Sequence, residues 1–440
     1  MAPLSALHAG AAHEEDPWLD AGLKGYPHAG PALRCSQVGA QGWNLLRGDL
    51  PLPLATLDRA ALQHNLRWMQ DFVGRHGLVL APHGKTTLSP ELWAWQRQAG
   101  AWGLTVADVR QARLAVASGW QRVLIANQVL ADDDLHALQR LRQGGARVAF
   151  WVDSLAQLDT LQAWWERHGA GAVAFEVLLE LGVPGGRTGC RGVEQALALA
   201  QAVARASACA LVGVAAYEGL GVQGDTPHDQ AYVQGLLRDV ADLVLSIHAR
   251  GGFAGPEVLL SAGGSAAFDW VAQALQDLRL RLNSPSVGVL RSGCYLTHDH
   301  GSYQRLVAGV NARLGCGTGL QGALQVWTRV QSCPEPGLAI LNAGKRDLSY
   351  DWGLPRVLRV WPHGAQAPEA AYEPDPDWAV MALNDQHAYL RGSGPAWQRL
   401  RVGDRVVLGI SHPCTTFDKW RWMPVLDAQA NVVDAITTAF

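Results

Sequence analysis

A lysine forms a Schiff base only as the free amine, and one held in apolar surroundings at a strand end gives up its proton more readily than one in water. The run Leu78-Val-Leu-Ala-Pro-His-Gly-Lys-Thr-Thr creates that setting for Lys85, past an apolar stretch broken by Pro82 and Gly84, with His83 beside it. Two later apolar runs end in loops of small residues, Ser261-Ala-Gly-Gly-Ser265 and Arg291-Ser-Gly-Cys-Tyr295. Backbone N–H groups on such loops can close around phosphate oxygens, and Ser261 and Ser265 can add hydroxyl donors. Together with the strand-end lysine, these loops suggest a phosphorylated cofactor that reacts with an amine. Pyridoxal 5′-phosphate fits that description best.

Two other segments suit the same cofactor. The glycine-rich stretch Leu181-Gly-Val-Pro-Gly-Gly-Arg-Thr-Gly189 presents Arg187, a planar cation able to meet a phenolic oxygen, and Val214-Ala-Ala-Tyr-Glu-Gly219 presents Tyr217 and Glu218, a donor and an acid. Much later comes Arg405-Val-Val-Leu-Gly-Ile-Ser-His-Pro-Cys414. If that strand continues, His412 and Cys414 share a face, and an imidazole with a thiolate suits zinc. Two ligands are too few for a structural zinc site, whereas an incomplete set leaves positions open for substrate or water. Asp418, Asp385 and His387 are candidates for outer-shell or third ligands, and the sequence does not choose among them.

These groups need a scaffold that brings loop residues together. Between Leu54 and Leu290, short apolar runs alternate with stretches of helical period, the sequence form of repeated β-α units. Strands are expected near Leu78–Leu80, Gly103–Val106, Val123–Ala126, Arg147–Val152, Val173–Leu179, Ala210–Ala215, Val258–Ser261 and Ser286–Leu290. Helices are expected over 59–74, 132–142 and 191–206. Eight strands point to an α/β fold, a (β/α)8 TIM-type barrel with its chemistry at the C-terminal strand ends, and a doubly wound open sheet is the alternative. After about Gly319, short β-like runs split by turns predict a C-terminal antiparallel β domain. The expected division is an N-terminal extension over 1–50 that resists regular structure, a barrel over 51–319 and a β domain over 320–440. The strand-like segment 51–57 is a candidate to pair with the last of these.

At 440 residues and 48% hydrophobic content, the chain can bury a large core. Its 36 basic and 39 acidic residues give a formal charge of −3, which offers no electrostatic footprint for nucleic acid or an anionic membrane and favours a small-molecule partner. Seven widely spaced cysteines do not form a disulfide framework and favour the cytoplasm. No signal peptide and no run of transmembrane length is readable.

The ordered set Pro82-His83-x-Lys85-Thr86, Gly186-Arg-Thr-Gly189, Tyr217-Glu-Gly219, Gly263-Gly-Ser265, Arg291-x-Gly-x-Tyr295 and His412-x-Cys414 resembles the D-serine dehydratase and D-threonine aldolase group. These are fold-type III pyridoxal phosphate enzymes with an alanine-racemase-like barrel. The resemblance covers about Pro51 to Asp427. It implies that Lys85 anchors the cofactor covalently, that Arg187 and Tyr217 contact the ring or substrate, and that Gly263, Gly264, Ser265, Gly293, Cys294 and Tyr295 surround the phosphate. It further implies that His412 and Cys414 hold a divalent metal, zinc above all, and that the protein is a homodimer. Thr86-Thr87 where the family often has Thr-His, and Pro413 between the metal ligands, set this chain in a subgroup like the amino-acid deaminases. The expected activity is dehydration of a D-β-hydroxy amino acid such as D-serine or D-threonine to a 2-oxo acid and ammonia. The alternatives are a D-threonine aldolase and, from another class, a pyridoxal phosphate carrier.

Overall fold

The computed structural model describes residues 16–169, 171–224 and 226–440, so residues 1–15 of the expected extension lie outside the described part. The described part opens with a strand pair, β1 (Trp18–Leu19) and β2 (Leu33–Arg34), and a short helical turn over 35–40, and continues into β3 (Leu54–Asp58) and α1 (Arg59–Arg75). Asp58 ends the strand and caps the helix, its carboxylate accepting the Ala61 N–H. Eight parallel strands follow: β4 (Val79–Leu80), β5 (Leu104–Val106), β6 (Arg122–Ile125), β7 (Arg147–Val152), β8 (Phe175–Glu180), β9 (Cys209–Ala215), β10 (Val258–Ser261) and β11 (Ser286–Leu290).

Helices α2 (Pro90–Gln98) to α8 (Phe268–Leu282) separate these strands, and α9 (Ser302–Leu314) follows the last of them. Ser89, Asp108 and Ser154 each cap the helix that follows. The sheet runs β4-β11-β10-β9-β8-β7-β6-β5. Its two edges are joined, since Trp102 N–H donates to Leu80 O at 2.8 Å and Thr105 N–H to Pro82 O at 2.9 Å. That closure makes the sheet a barrel and excludes the open-sheet alternative. The strands read as apolar runs because both faces are buried. Leu124, Ala149, Trp151, Leu178, Val212, Leu259 and Val289 fill the interior, while their strand neighbours pack outward on the helices.

The second domain contains β12 (Leu324–Glu335), β13 (Leu338–Leu341), β14 (Arg356–Trp361), β15 (Ala379–Leu383), β16 (Ala388–Arg391), β17 (Arg405–Gly409), β18 (Trp422–Leu426) and β19 (Val432–Thr437). Its pairs are antiparallel with one exception. β3 enters this sheet from the N-terminal side, antiparallel to β12 and parallel to β18. Residues 16–50 carry little regular structure, yet they are packed: Tyr26, Val38, Leu45 and Leu46 are fully buried, and Arg405 donates to Leu46 O at 2.8 Å. The described part of the extension is thus a layer of the β domain, because its few large apolar residues face that sheet while its prolines and glycines form the turns. Among the described residues no helix is long and apolar enough to cross a membrane, and all seven cysteines are free.

Candidate active site at the barrel mouth

β4 is only two residues long, and the chain leaves it through a single helical turn at Gly84–Thr86 that carries Lys85. The turn is fixed from below: Trp93 Nε1 donates to Gly84 O at 3.2 Å, and a Cβ at Gly84 would meet the same indole at 2.8 Å. Lys85 keeps solvent access, but the mouth closes around it. Burial, followed by the positive charges of Arg187 and Arg291, brings its ammonium below the ordinary lysine value against the opposing pull of Cys414 and Cys294. His83 is held well below the usual imidazole range by burial, with Lys85, Arg291 and Arg187 adding to the effect, so its ring is neutral. His83 Nδ1 is buried with no hydrogen-bond partner among the described residues.

The loop after β10 forms an anion nest. Gly263 and Gly264 both adopt left-handed φ values, +88° and +103°, which turn successive N–H groups toward one point. The anion there is Glu218, from the loop after β9. It is fully buried and accepts N–H groups from Gly264 at 2.9 Å, Ser265 at 2.6 Å and Ala266 at 3.1 Å. Sequence patterning identified the loop as an anion site and missed its resident carboxylate, which lies 46 to 48 residues away along the chain.

Ser261 is placed differently from its expected part as a phosphate donor. Its hydroxyl donates to Val289 O at 2.8 Å and accepts from Arg291 Nε at 2.7 Å. Arg291, which sequence reasoning passed over despite its place in the motif, is 6% exposed and ties three loops together. Its Nη2 donates to Ala216 O at 2.6 Å, its backbone N–H to Gly263 O at 2.8 Å, and its guanidinium lies 5.2 Å from the Trp151 ring centroid. Gly293 serves close packing, since a Cβ there would meet Thr86 Oγ1 at 2.7 Å and His83 Cβ at 3.0 Å. Tyr295 is fully buried, and its hydroxyl accepts from Gln96 of α2 at 3.2 Å.

Arg187 and Tyr217 do meet, the guanidinium 5.6 Å from the ring centroid. Burial and then the Glu218 charge push the Tyr217 phenol up to about 12, so it is a proton donor at neutral pH. The Arg187 loop is anchored by Asp153, which accepts Gly189 N–H at 3.0 Å.

His412 and Cys414 also come together, though not as alternate residues of a strand. β17 ends at Gly409, and Pro413, with helical φ and ψ of −57° and −46°, turns the chain into a single helical turn over Cys414–Phe417. The turn brings Cys414 Sγ to 3.5 Å from Thr86 Oγ1, next to Lys85. Cys414 is drawn well below the usual thiol range, first by a hydrogen bond from Cys294 and then by His412 and Thr86, which outweigh burial. The Cys294 thiol is correspondingly held up by that bond and by burial. Cys414 is therefore the thiolate of the pair.

Burial lowers the His412 pKa, but Cys414 and Asp351 outweigh it and hold the imidazole above its ordinary value. Asp385 and Asp418 are engaged elsewhere, with Arg346 and Lys419 at 3.2 and 3.1 Å, and His387 is exposed. The acid beside His412 is instead Asp351, which no spacing rule indicated. Among the described residues, no group of three or more His, Cys, Asp or Glu side chains is arranged to hold a metal. A borderline nitrogen with a thiolate fits zinc in an open site.

The mouth thus offers a lysine of lowered pKa and an orphaned imidazole nitrogen, beside a glycine nest whose N–H groups the buried Glu218 carboxylate takes. The lysine and the imidazole fit pyridoxal phosphate. The family model for the alanine racemase N-terminal domain matches residues 57–290, and the model described as "Putative serine dehydratase domain" matches 323–426. The chain is 29% identical to D-threo-3-hydroxyaspartate dehydratase of Delftia sp. (strain HT23) over 398 residues, 88% of this chain and 97% of that one. It is 28% identical to 3-hydroxy-D-aspartate aldolase of Paracoccus denitrificans (strain Pd 1222) over 311 residues, 70% of this chain and 76% of that one. The crystal structure of D-threonine aldolase from Filomicrobium marinum superposes with a TM-score of 0.74 at 25% identity, covering 90% of this chain and 96% of that one. With the first model matching more than half of its length and the second lying on its β domain, the chain belongs to the alanine racemase N-terminal domain family of fold-type III pyridoxal phosphate enzymes.

Proposed function

We propose that this chain is a pyridoxal phosphate- and metal-dependent lyase of D-β-hydroxy amino acids, and within that class a dehydratase yielding a 2-oxo acid and ammonia. The observation that carries the reading is the approach of Cys414 Sγ to Thr86 Oγ1, which sets a soft-metal donor pair from the β domain beside Lys85 of the barrel. A metal-independent racemase or a cofactor carrier has no use for such a pair there.

When bound, pyridoxal phosphate supplies the electron sink that lets a Cα–H bond ionise. Lys85 Nζ would hold the cofactor's aldehyde, and as a free amine it would be the base positioned to take the substrate's α-proton. Its lowered pKa leaves more free amine at neutral pH than a lysine of ordinary pKa has. Tyr217 remains protonated and able to donate, while Arg187 offers a planar cation beside it. A divalent cation on His412 and Cys414 would supply Lewis acidity toward the β-hydroxyl. Loss of that hydroxyl with a proton gives water, and the released enamine hydrolyses to the 2-oxo acid and ammonia.

The second reading is aldol cleavage, supported by the aldolases among the relatives at comparable identity. Products decide between them. The holoenzyme is incubated with D-serine, D-threonine and D-threo-3-hydroxyaspartate, with and without a chelator, and assayed for 2-oxo acid, ammonia, glycine and aldehyde. Chelator-sensitive 2-oxo acid and ammonia are expected; glycine with an aldehyde establishes the aldolase, and no product from any substrate overturns both. The homodimer belongs to the same proposal, and sedimentation velocity tests it.

A further inference from the structure

We infer that Asp351 is the positioning residue of the His412–Cys414 pair: it sets which imidazole nitrogen faces a bound cation and holds the turn that brings the thiolate alongside. This rests on the metal reading above. Asp351 Oδ2 accepts from His412 Nδ1 at 2.5 Å, and its Oδ1 accepts from Thr415 Oγ1 at 2.8 Å. One carboxylate therefore spans the turn, gripping the residue before Pro413 and the residue after Cys414. With the proton on Nδ1 directed to Asp351, the lone pair is on Nε2.

The ring is also kept from swivelling. Trp352 stacks on it with centroids 3.9 Å apart and planes 6° from parallel. The His412 backbone N–H donates to Ser349 Oγ at 3.0 Å, and the Ser349 N–H donates to Thr416 Oγ1 at 3.0 Å. Segment 349–352 thus clasps segment 412–416 by ring, carboxylate and backbone together. A carboxylate on the far nitrogen raises the basicity of a ligating imidazole and fixes its direction, and losing such a partner typically costs 10–100-fold in metal affinity.

The test uses holoenzyme stripped of metal by chelator and dialysis, with Zn²⁺ titrated against a competing chromophoric chelator. Wild type is expected to bind zinc, and Asp351→Ala to bind it about 10–100-fold more weakly. Asp351→Asn keeps an oxygen that accepts the Nδ1 proton and is expected to recover part of the loss, whereas a merely structural defect would not follow that order. Thr415→Val, which removes the other anchor of the carboxylate, is expected to weaken zinc less than Asp351→Ala. The visible absorption of the cofactor on Lys85 should be unchanged throughout, reporting an intact barrel. Equal zinc affinity in wild type and Asp351→Ala overturns the role of Asp351 and leaves the metal reading standing. A wild type that binds no zinc overturns the metal reading and this inference with it.

Discussion

Glu218 Oε1 accepts the backbone N–H of Ser265 at 2.6 Å, so the loop with the geometry of a phosphate cradle already holds a carboxylate. An anion entering that nest competes with Glu218 for three N–H donors. Glu218→Gln weakens the resident acceptor, and the apo protein is expected to bind inorganic phosphate several-fold more tightly. The readout is the rise in thermal stability with phosphate concentration, which grows as ligand affinity grows. Without phosphate the same variant is expected to lose about 1.5–3 kcal/mol of stability in urea, the scale of hydrogen bonds to a charged group. Weaker phosphate stabilisation in the variant would instead make Glu218 a support of the nest.

The barrel was readable in the sequence because a parallel strand buried on both faces is an uninterrupted apolar run, and eight such runs alternate with helical period. The glycine loops were readable for a related reason: left-handed turns at Gly263 and Gly264 demand the residue type that marks them. What stayed hidden was contact between distant segments. Glu218 reaches its nest from 46 residues away, and Asp351 reaches His412 from 61. The His412–Cys414 pairing was expected from strand alternation, while the structure achieves it through a proline turn. Residues 16–50 look irregular because their turns outnumber their anchors, yet Tyr26, Leu45 and Leu46 are enough to dock them.

Lys85 gives a pH prediction. Burial, Arg187 and Arg291 lower its pKa from 10.5, so free amine persists further toward neutral pH than on a lysine of ordinary pKa. The rate at which apo protein attaches pyridoxal phosphate is expected to rise with pH through a midpoint below 10.5. Arg187→Met removes a neighbouring positive charge, which stabilises the ammonium and moves that midpoint up, slowing attachment at pH values beneath it. Stopped-flow absorbance reads both, and Lys85→Ala is expected to abolish the band.

The thiol pair gives another. Because Cys294 donates to Cys414, the latter is the thiolate in metal-free protein and is expected to react with iodoacetamide ahead of the other cysteines at mildly acidic pH. Cys294→Ala removes the largest cause of that lowered pKa. Its value therefore rises, the thiolate fraction at acidic pH falls, and labelling of Cys414 is expected to slow several-fold, as followed by peptide mass spectrometry. Unchanged labelling would show that His412 and Thr86 alone suffice.

Arg291 and Glu218 are buried charges of opposite sign on neighbouring loops. Burial pulls the Arg291 guanidinium down, and the attraction of Glu218, followed by Glu180, opposes it. Arg291→Leu removes the donor from Ser261 Oγ and Ala216 O and leaves Glu218 without its positive neighbour. Losing those buried hydrogen bonds from a charged donor is expected to cost about 1.5–3 kcal/mol. In the double variant with Glu218→Gln, the stranded charge is gone as well. The two losses in urea stability are therefore expected to fall short of additive by about 0.5–3 kcal/mol, the range for residues that share one network. Strict additivity would mean that the nest holds Glu218 through its N–H groups alone, and that Arg291 serves the Ser261 and Ala216 loops without reference to the charge beside it.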